Sequence, residues 1–404
     1  MNPPAGGQPA MGAGARAFGA SALATGYKQI YRFKGTPDGA SPYAGLTVVN
    51  GVLYGTTLNG SVNYCSSSCG GNNCYLGCGT VFSVGTSGNE HVVYNFEGNF
   101  NSATDGSWPF DGLTPLNGTL YGTTSGAGAF AHGTVFSVTT AGQEKVLHSF
   151  SGGSDAEGPE AGLTALNGTL YGTTLFGGGS GCGGAGCGTV YSITPSGTES
   201  VLYSFKGGSD GERLYSGVVA VRGRLYGATL FGGGTGCGGN GCGTIYEVTL
   251  QGKEHVIYRF TGAADGGNPN GLIAVNGVLY GTTESGGPKN SGTFFSVTRA
   301  GVEKVLYNFQ DIPDGNLPGA TLIYVKGNFY GTTVGGGTAG VGTVFTVNKT
   351  GTEKVLYSFA GGNDGSDPQS PVVAHNGQLY GTTVQGGGTG CGGSGCGTVF
   401  KLPL

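Results

Sequence analysis

Residues 162–205, GLTAL-NG-TLYGTT-LFGGGSGCGGAGC-GTVYSITPSG-TESVLYSF, decide the fold. The opening run, Gly162 to Leu166, reads as a first strand, a. Asn167-Gly168 is a two-residue hairpin turn, because this pair tolerates the left-handed backbone angles of a type I′ turn. Leu170-Tyr171-Gly172-Thr173-Thr174 is strand b, and the run from Gly188 to Ile193 is strand c. Gly197 turns the chain into strand d, which ends at Phe205. Short strands at regular spacing with turn signals between them indicate an all-β repeat.

The unit recurs along the chain, at a period that marks a repeat architecture. The Tyr of strand b stands at Tyr54, Tyr121, Tyr171, Tyr226, Tyr280, Tyr330 and Tyr380. The Gly that opens strand c follows each time, at Gly79, Gly133, Gly188, Gly243, Gly292, Gly342 and Gly397. Strand d closes on Phe33, Phe96, Phe150, Phe205, Phe260, Phe309 and Phe359. The chain enters on a lone strand d, residues 27–33, and leaves on strand c, residues 397–402. Pairing the two completes a seventh sheet and removes an exposed edge. We therefore expect an all-β, seven-bladed β-propeller with four antiparallel strands per blade, closed by that pairing. It forms one domain over residues 27–404, after a flexible Ala/Gly/Pro-rich tail at 1–26. Within the tail, Ala22-Leu23-Ala24 matches the small-x-small pattern of a cleavage site, but the basic start and apolar middle of a signal peptide are lacking. The six internal c–d turns are each followed by a Glu (Glu90, Glu144, Glu199, Glu254, Glu303 and Glu353), and the lone first strand has Tyr27 there.

Composition agrees with many short strands and tight turns. Of 404 residues 90 are Gly, 21 Tyr and 20 Phe, and only 10% are charged. No Gly-X-Y period is present, so this is not collagen. The net charge is −4 with no Lys/Arg cluster, which disfavours nucleic acid and anionic membranes as partners. No apolar run approaches the roughly 20 residues of a spanning helix.

The Leu-Tyr-Gly-Thr-Thr string, the Gly-rich gap, Gly-Thr-Val-Phe and the Ser-Phe-x-Gly-Gly run resemble the bacterial GloVer (Gloeobacter/Verrucomicrobia) tandem repeat. The resemblance covers nearly everything from Tyr27 to Leu404. It implies export, often with a C-terminal surface anchor, and it carries no activity or catalytic set.

In a propeller the d–a and b–c connections emerge on one face, and loops on a rigid scaffold are where binding groups concentrate. Each d–a loop carries an Asp: Asp38, Asp105, Asp155, Asp210, Asp265, Asp314 and Asp364. All but Asp210 are followed four residues later by Pro. A sevenfold Asp is read as a turn cap rather than a cation site, since hard cations need several oxygens converging on one point.

All ten cysteines lie in b–c loops, in even numbers. Cys182/Cys187, Cys237/Cys242 and Cys391/Cys396 are Cys-x4-Cys pairs, and the first loop holds Cys65, Cys69, Cys74 and Cys78. Local disulfides and an oxidising, extracytoplasmic compartment follow. In the first loop nested bridges are expected, Cys65–Cys78 around Cys69–Cys74, although four cysteines allow three pairings. A four-cysteine zinc site is the rival there.

His91, His132, His148, His255 and His375 are scattered, and no spacing brings two together. No Gly-x-Ser-x-Gly elbow, P-loop or His-Glu-x-x-His occurs, and neither a cofactor nor a metal is expected. Departures from the repeat are the informative positions. Tyr43, Trp108, Phe110 with Asp111, Glu157, Glu160, Phe176, Glu212, Arg213, Tyr215 and Phe231 all fall on the loop-rich face. Aromatic rings with a few carboxylates and an Arg suit sugar binding. The expected function is an exported, monomeric, non-catalytic binding or scaffold module for a glycan or cell-surface protein. The alternative is a carbohydrate-active enzyme such as a polysaccharide lyase, with Glu157, Glu160, Glu212, Arg213 and Tyr215 around the site and Arg213 with Tyr215 as its suggestive cluster.

Overall fold

The computed structural model describes residues 26–63, 65, 77–98 and 105–404. Seven antiparallel sheets follow one plan, each built as a-b-c-d. In the third blade these strands are Thr164–Leu166, Thr169–Thr173, Thr189–Ile193 and Glu199–Ser204. Strands a of successive blades touch one another, which places them innermost around an axis. In the seventh sheet, Val373–His375, Gln378–Thr383 and Thr398–Pro403 are joined by Lys28–Arg32 from the other end of the chain. The seven-bladed propeller expected from the repeat is the fold.

Each recurring residue of the unit has a physical task. The strand-b Tyr and the strand-d Phe are buried in every blade. At each blade boundary that Phe meets the strand-c aromatic of the next blade edge-on. Phe33–Phe82 and Phe96–Phe136 lie 5.0 and 5.1 Å apart, and Phe359–Phe400 lies 5.2 Å apart at the boundary of blades six and seven. Edge-to-face geometry suits the charge distribution of aromatic rings. The Gly of Leu-Tyr-Gly-Thr-Thr leaves room for the strand-c aromatic of its own blade. A Cβ on Gly122 would come within 2.6 Å of Phe136, and one on Gly281 within 2.8 Å of Phe295.

The second Thr of that string pairs with the Thr of strand c through buried hydroxyls. The distance stays between 2.7 Å (Thr124–Thr134) and 2.9 Å (Thr174–Thr189) at all seven sites. The first Thr reaches across the boundary instead. Thr123 Oγ1 donates to the Ala161 carbonyl at 3.1 Å, and Thr173 Oγ1 to that of Ser216 at 3.0 Å. It thereby braces the next blade's d–a loop. Blade four has Ala228 at this position, and the loop it faces is one residue shorter than the others.

The c–d turn glycines press on the preceding blade. A Cβ on Gly142, Gly197 or Gly301 would lie 2.5–2.7 Å from the carbonyl oxygen of Val93, Leu147 or Ile257. A side chain there would push two blades apart. Bridges join Cys65–Cys78, Cys182–Cys187, Cys237–Cys242 and Cys391–Cys396. Cys69 and Cys74 fall outside the described residues, as does nearly all of the 1–26 tail. The Cys65–Cys78 bond consumes two of the four thiolates that a zinc centre in that loop would need.

Candidate functional site

The d–a loops share one turn cap. In six of them the Asp carboxylate accepts the amide four residues earlier, as in Asp210 from Lys206 and Asp314 from Gln310, both 2.8 Å, and in the longer loop of blade two Asp105 accepts that of Glu97. The residue three positions after each Asp donates its amide to the preceding blade's carbonyl. These bonds run from Ser41, Trp108, Gly158, Arg213, Asn268, Leu317 and Asp367 at 2.8–3.1 Å. Apart from Gly158 these residues have side chains and still adopt left-handed backbone, with φ 60° at Trp108 and 59° at Arg213. Such conformations are costly and persist only where the surroundings over-determine them. Here the cross-blade hydrogen bond does so.

The proline position follows, and the next side chain enters a depression on the propeller axis. Its volume is about 390 Å³. The seven loops each contribute that residue: Tyr43, Phe110, Glu160, Tyr215, Asn270, Gly319 and Gln369. The address is fixed by the repeat, and its occupant differs from blade to blade. Tyr43 and Phe110 stack across the boundary of blades one and two, 5.0 Å apart and 27° from parallel. Tyr215 is 44% exposed, so its ring is offered to solvent.

Three acidic side chains complete the lining. Asp111 accepts the amides of Gly112 and Gly162, each at 2.6 Å, and so ties blade two to blade three beside the axis. Its carboxyl is pushed up by burial, against the pull of those two amides. Burial raises Glu160 to about 7, with Arg213 pulling the other way. Glu284 is likewise raised by burial. Tyr215 is raised by burial, and it lies within the fields of both Glu160 and Glu284. Neither Lys nor Arg is among the lining residues. The site combines flat aromatic surface, amide hydrogen-bonding groups and carboxyls whose pKa is raised by burial.

The structure divides the residues that depart from the repeat. Tyr43, Phe110, Glu160 and Tyr215 meet in the depression. Glu157, Phe176, Glu212 and Phe231 stand instead on ribbons where the d–a and b–c loops pair, Glu157 opposite Phe176 and Glu212 opposite Phe231. Arg213 places its guanidinium 4.8 Å from the Phe176 ring centre, a cation–π contact on that ribbon. Trp108 packs on the second blade's ribbon, where a Cβ on Gly126 would lie 2.6 Å from its ring. Glu284, Asn270 and Gln369 also line the depression, and the sequence alone did not single them out. Glu284 carries a signal that could have found it, since its counterparts are Leu58, Ser125, Leu175, Leu230, Val334 and Val384. Asn270 and Gln369 become conspicuous only once the seven loops are aligned on their prolines.

Two of the histidines lie beside carboxylates, one within hydrogen-bonding distance and one beyond it. His132 Nδ1 lies 3.1 Å from Glu157, and His148 Nε2 lies 3.6 Å from Asp155. Among the described residues no helix is long and apolar enough to cross a membrane.

The Gloeobacter/Verrucomicrobia repeat matches residues 6–185 and 182–400. Curated protein sequences give no match. Solved structures of similar shape include the computationally designed Ika8 protein, at TM-score 0.50 and 12% identity over 93% of this chain and 99% of that one. A quinohemoprotein alcohol dehydrogenase from Comamonas testosteroni aligns at TM-score 0.51 and 12% identity, over 95% of this chain and 77% of that one. Puromycin hydrolase aligns at TM-score 0.51 and 11% identity, over 87% of this chain and 52% of that one. At such identities the likeness is one of fold alone.

Proposed function

The chain belongs to the Gloeobacter/Verrucomicrobia repeat family, and from that premise we propose that it is an exported propeller that binds a glycan in its axial depression. The supporting observation is the set of differing residues that the seven d–a loops bring to one depression at the same loop position. Tyr43, Phe110 and Tyr215 offer faces for sugar rings, and Asn270, Gln369 and Glu160 offer hydrogen-bond partners for hydroxyls. The four disulfides among the described residues agree with an oxidising location outside the cytoplasm.

The chemistry of the lining selects among glycans. Asp111, Glu160 and Glu284 face the ligand with no basic side chain beside them in the lining. A uronic-acid polymer would set its carboxylates against these groups, which burial already disfavours as anions, and would find no cationic partner among the lining residues. Neutral and amine-bearing sugars fit better. The same balance weighs against a polysaccharide lyase, which needs a cationic or neutralising group at the sugar carboxylate. Arg213, the natural candidate, is committed to Phe176.

A glycan array probed with wild type and with Tyr43→Ala and Tyr215→Ala variants tests the proposal. Retention of a neutral or amino-sugar glycan, lost in both variants, is the expected result. Absence of any retained glycan, or equal retention by the variants, overturns it. Unsaturated products from a polyuronate panel would establish the lyase instead.

A further inference from the structure

At six of the seven blade boundaries, a strand-d Tyr hydroxyl donates to the Asp of the following loop. Tyr203–Asp210, Tyr258–Asp265, Tyr307–Asp314 and Tyr357–Asp364 do so at 2.8–3.1 Å, Tyr94–Asp105 at 3.2 Å, and Tyr31–Asp38 makes the same bond. Between blades two and three the Tyr is replaced by His148. Its Nε2 stops 3.6 Å from Asp155 Oδ2, beyond hydrogen-bonding distance, and is buried with no hydrogen-bond partner. Glu199, from the start of strand d in blade three, buries an oxygen, Oε1, with no partner, as do the matching glutamates of the five sister boundaries, so what sets this boundary apart is the imidazole beside it.

We propose that His148, Asp155 and Glu199 form a binding site for a divalent transition-metal ion of the zinc type. One ligand atom from each of the three lies within 4.8 Å of the others. Donors around a tetrahedral zinc ion, with metal–ligand bonds of about 2.0–2.1 Å, are separated by roughly 3.3–3.4 Å. The His148–Asp155 separation is already close to that, and Glu199 needs only a small side-chain adjustment. One imidazole and two carboxylates leave a fourth position for water. The nitrogen donor selects zinc, cobalt or nickel over calcium, which takes six to eight oxygens.

The surrounding groups suit such a site. Asp155 is held by the amide and hydroxyl of Ser151, at 2.9 and 3.0 Å. The His148 ring is fixed edge-on against Phe150, 4.8 Å away. Supporting contacts of this kind orient metal ligands. The neighbouring His132 is already engaged with Glu157 and takes no part. A second group of similar composition, Cys182, Cys187 and Glu212, cannot serve because its cysteines are bonded to each other. Because His148 belongs to blade two and Glu199 to blade three, an ion here would join the outer edges of two blades.

The repeat provides the control, since His148→Tyr restores the residue of the six sister sites and keeps the fold. Chelator-treated protein is titrated with Zn²⁺ by calorimetry and with Co²⁺ by visible absorption, as wild type, His148→Tyr and Glu199→Gln. We expect one ion per chain in wild type, a Co²⁺ spectrum of low coordination number, and a Zn²⁺-dependent rise in Tm. Both variants should lose at least about tenfold in affinity, with Ca²⁺ ineffective throughout. No Zn²⁺ binding by wild type, or equal binding by His148→Tyr, overturns the proposal. Neither result bears on the glycan proposal, because the metal site lies outside the axial depression.

Discussion

The ring of Tyr27 lies flat on that of Tyr357, with centroids 3.8 Å apart and planes 6° from parallel. Tyr27 occupies the place that Glu90, Glu144, Glu199, Glu254, Glu303 and Glu353 take at the other boundaries. Blade seven is the one blade whose strands c and d are joined by no covalent turn, and the stack fastens the start of its strand d to strand d of blade six. Tyr27→Ala should destabilise the propeller by about 3 kcal/mol, as loss of a packed aromatic does. Chemical denaturation checks the magnitude. Tyr27→Glu, which restores the repeat residue, should also be destabilising, because it sets a carboxylate beside Asp364.

The glutamates at the other boundaries predict a pH dependence. Glu90, Glu254, Glu303 and Glu353 are raised to about 7, first by burial and then by Asp38, Asp210, Asp265 and Asp314 respectively. Glu144 is raised to about 8 by burial and by Asp105, which is itself raised to about 6. Lys34 and Arg259 oppose the shift at Glu90 and Glu254, as do the hydroxyls of Tyr31, Tyr94, Tyr203 and Tyr307 at their glutamates. A glutamate in the unfolded chain titrates near about 4.3, so between there and about 7–8 the folded state holds more protons. Stability from these groups is fully present below the lower value and is lost as pH rises through the upper one. Tm should be higher at about pH 5 than at about pH 8.5. Glu144→Gln should match wild type at the acid end and exceed it at the alkaline end.

Glu284→Leu places in blade five the residue that blades one, three and four carry at this position. It removes a buried carboxyl and should raise Tm, most clearly above neutral pH. Glycan affinity should fall about tenfold with the loss of that carboxyl, since a hydrogen bond to a charged group contributes roughly 1.5–3 kcal/mol. Parallel melting and binding curves on one variant read both effects.

The disulfides should act locally. Cys182–Cys187, Cys237–Cys242 and Cys391–Cys396 each span 5 residues of sequence, and closing so short a loop contributes about 2 kcal/mol in the chain-entropy description. Each bridge packs on the glycine of the loop leaving its blade, Gly207, Gly262 or Gly35. Single Cys-to-Ser pairs should lower stability by that amount or less. Hydrogen exchange should quicken in the altered b–c loop and the adjoining d–a loop while the sheets stay protected.

The blades are legible in the sequence because every strand is marked twice, by its own residues and by its glycines. Asn167-Gly168 sets a turn, and Gly172 leaves room for Tyr191. The depression is only half legible. Tyr43, Phe110, Glu160 and Tyr215 stand out because they are unusual residues in loops. Trp108 and Arg213 are equally unusual, yet a left-handed backbone two residues before the pocket address turns them onto the ribbons. That turn comes from an amide bond to the neighbouring blade, a long-range contact that no local pattern announces. Glu284 escapes a search of the loops because it sits at the end of a strand.

Gly153, Gly208 and Gly362 have open space where a Cβ would stand, whereas the residue after each proline position points inward at a shared centre. Most of these positions can therefore be rewritten without disturbing the hydrogen bonds that hold their backbones, Asn270 excepted, since its side-chain amide donates to the Pro318 carbonyl. On the glycan proposal, ligand preference in this scaffold would be a seven-letter word spelled on a fixed keyboard. Descendants of one gene could acquire different vocabularies by single substitutions, each blade voting separately on what the centre accepts.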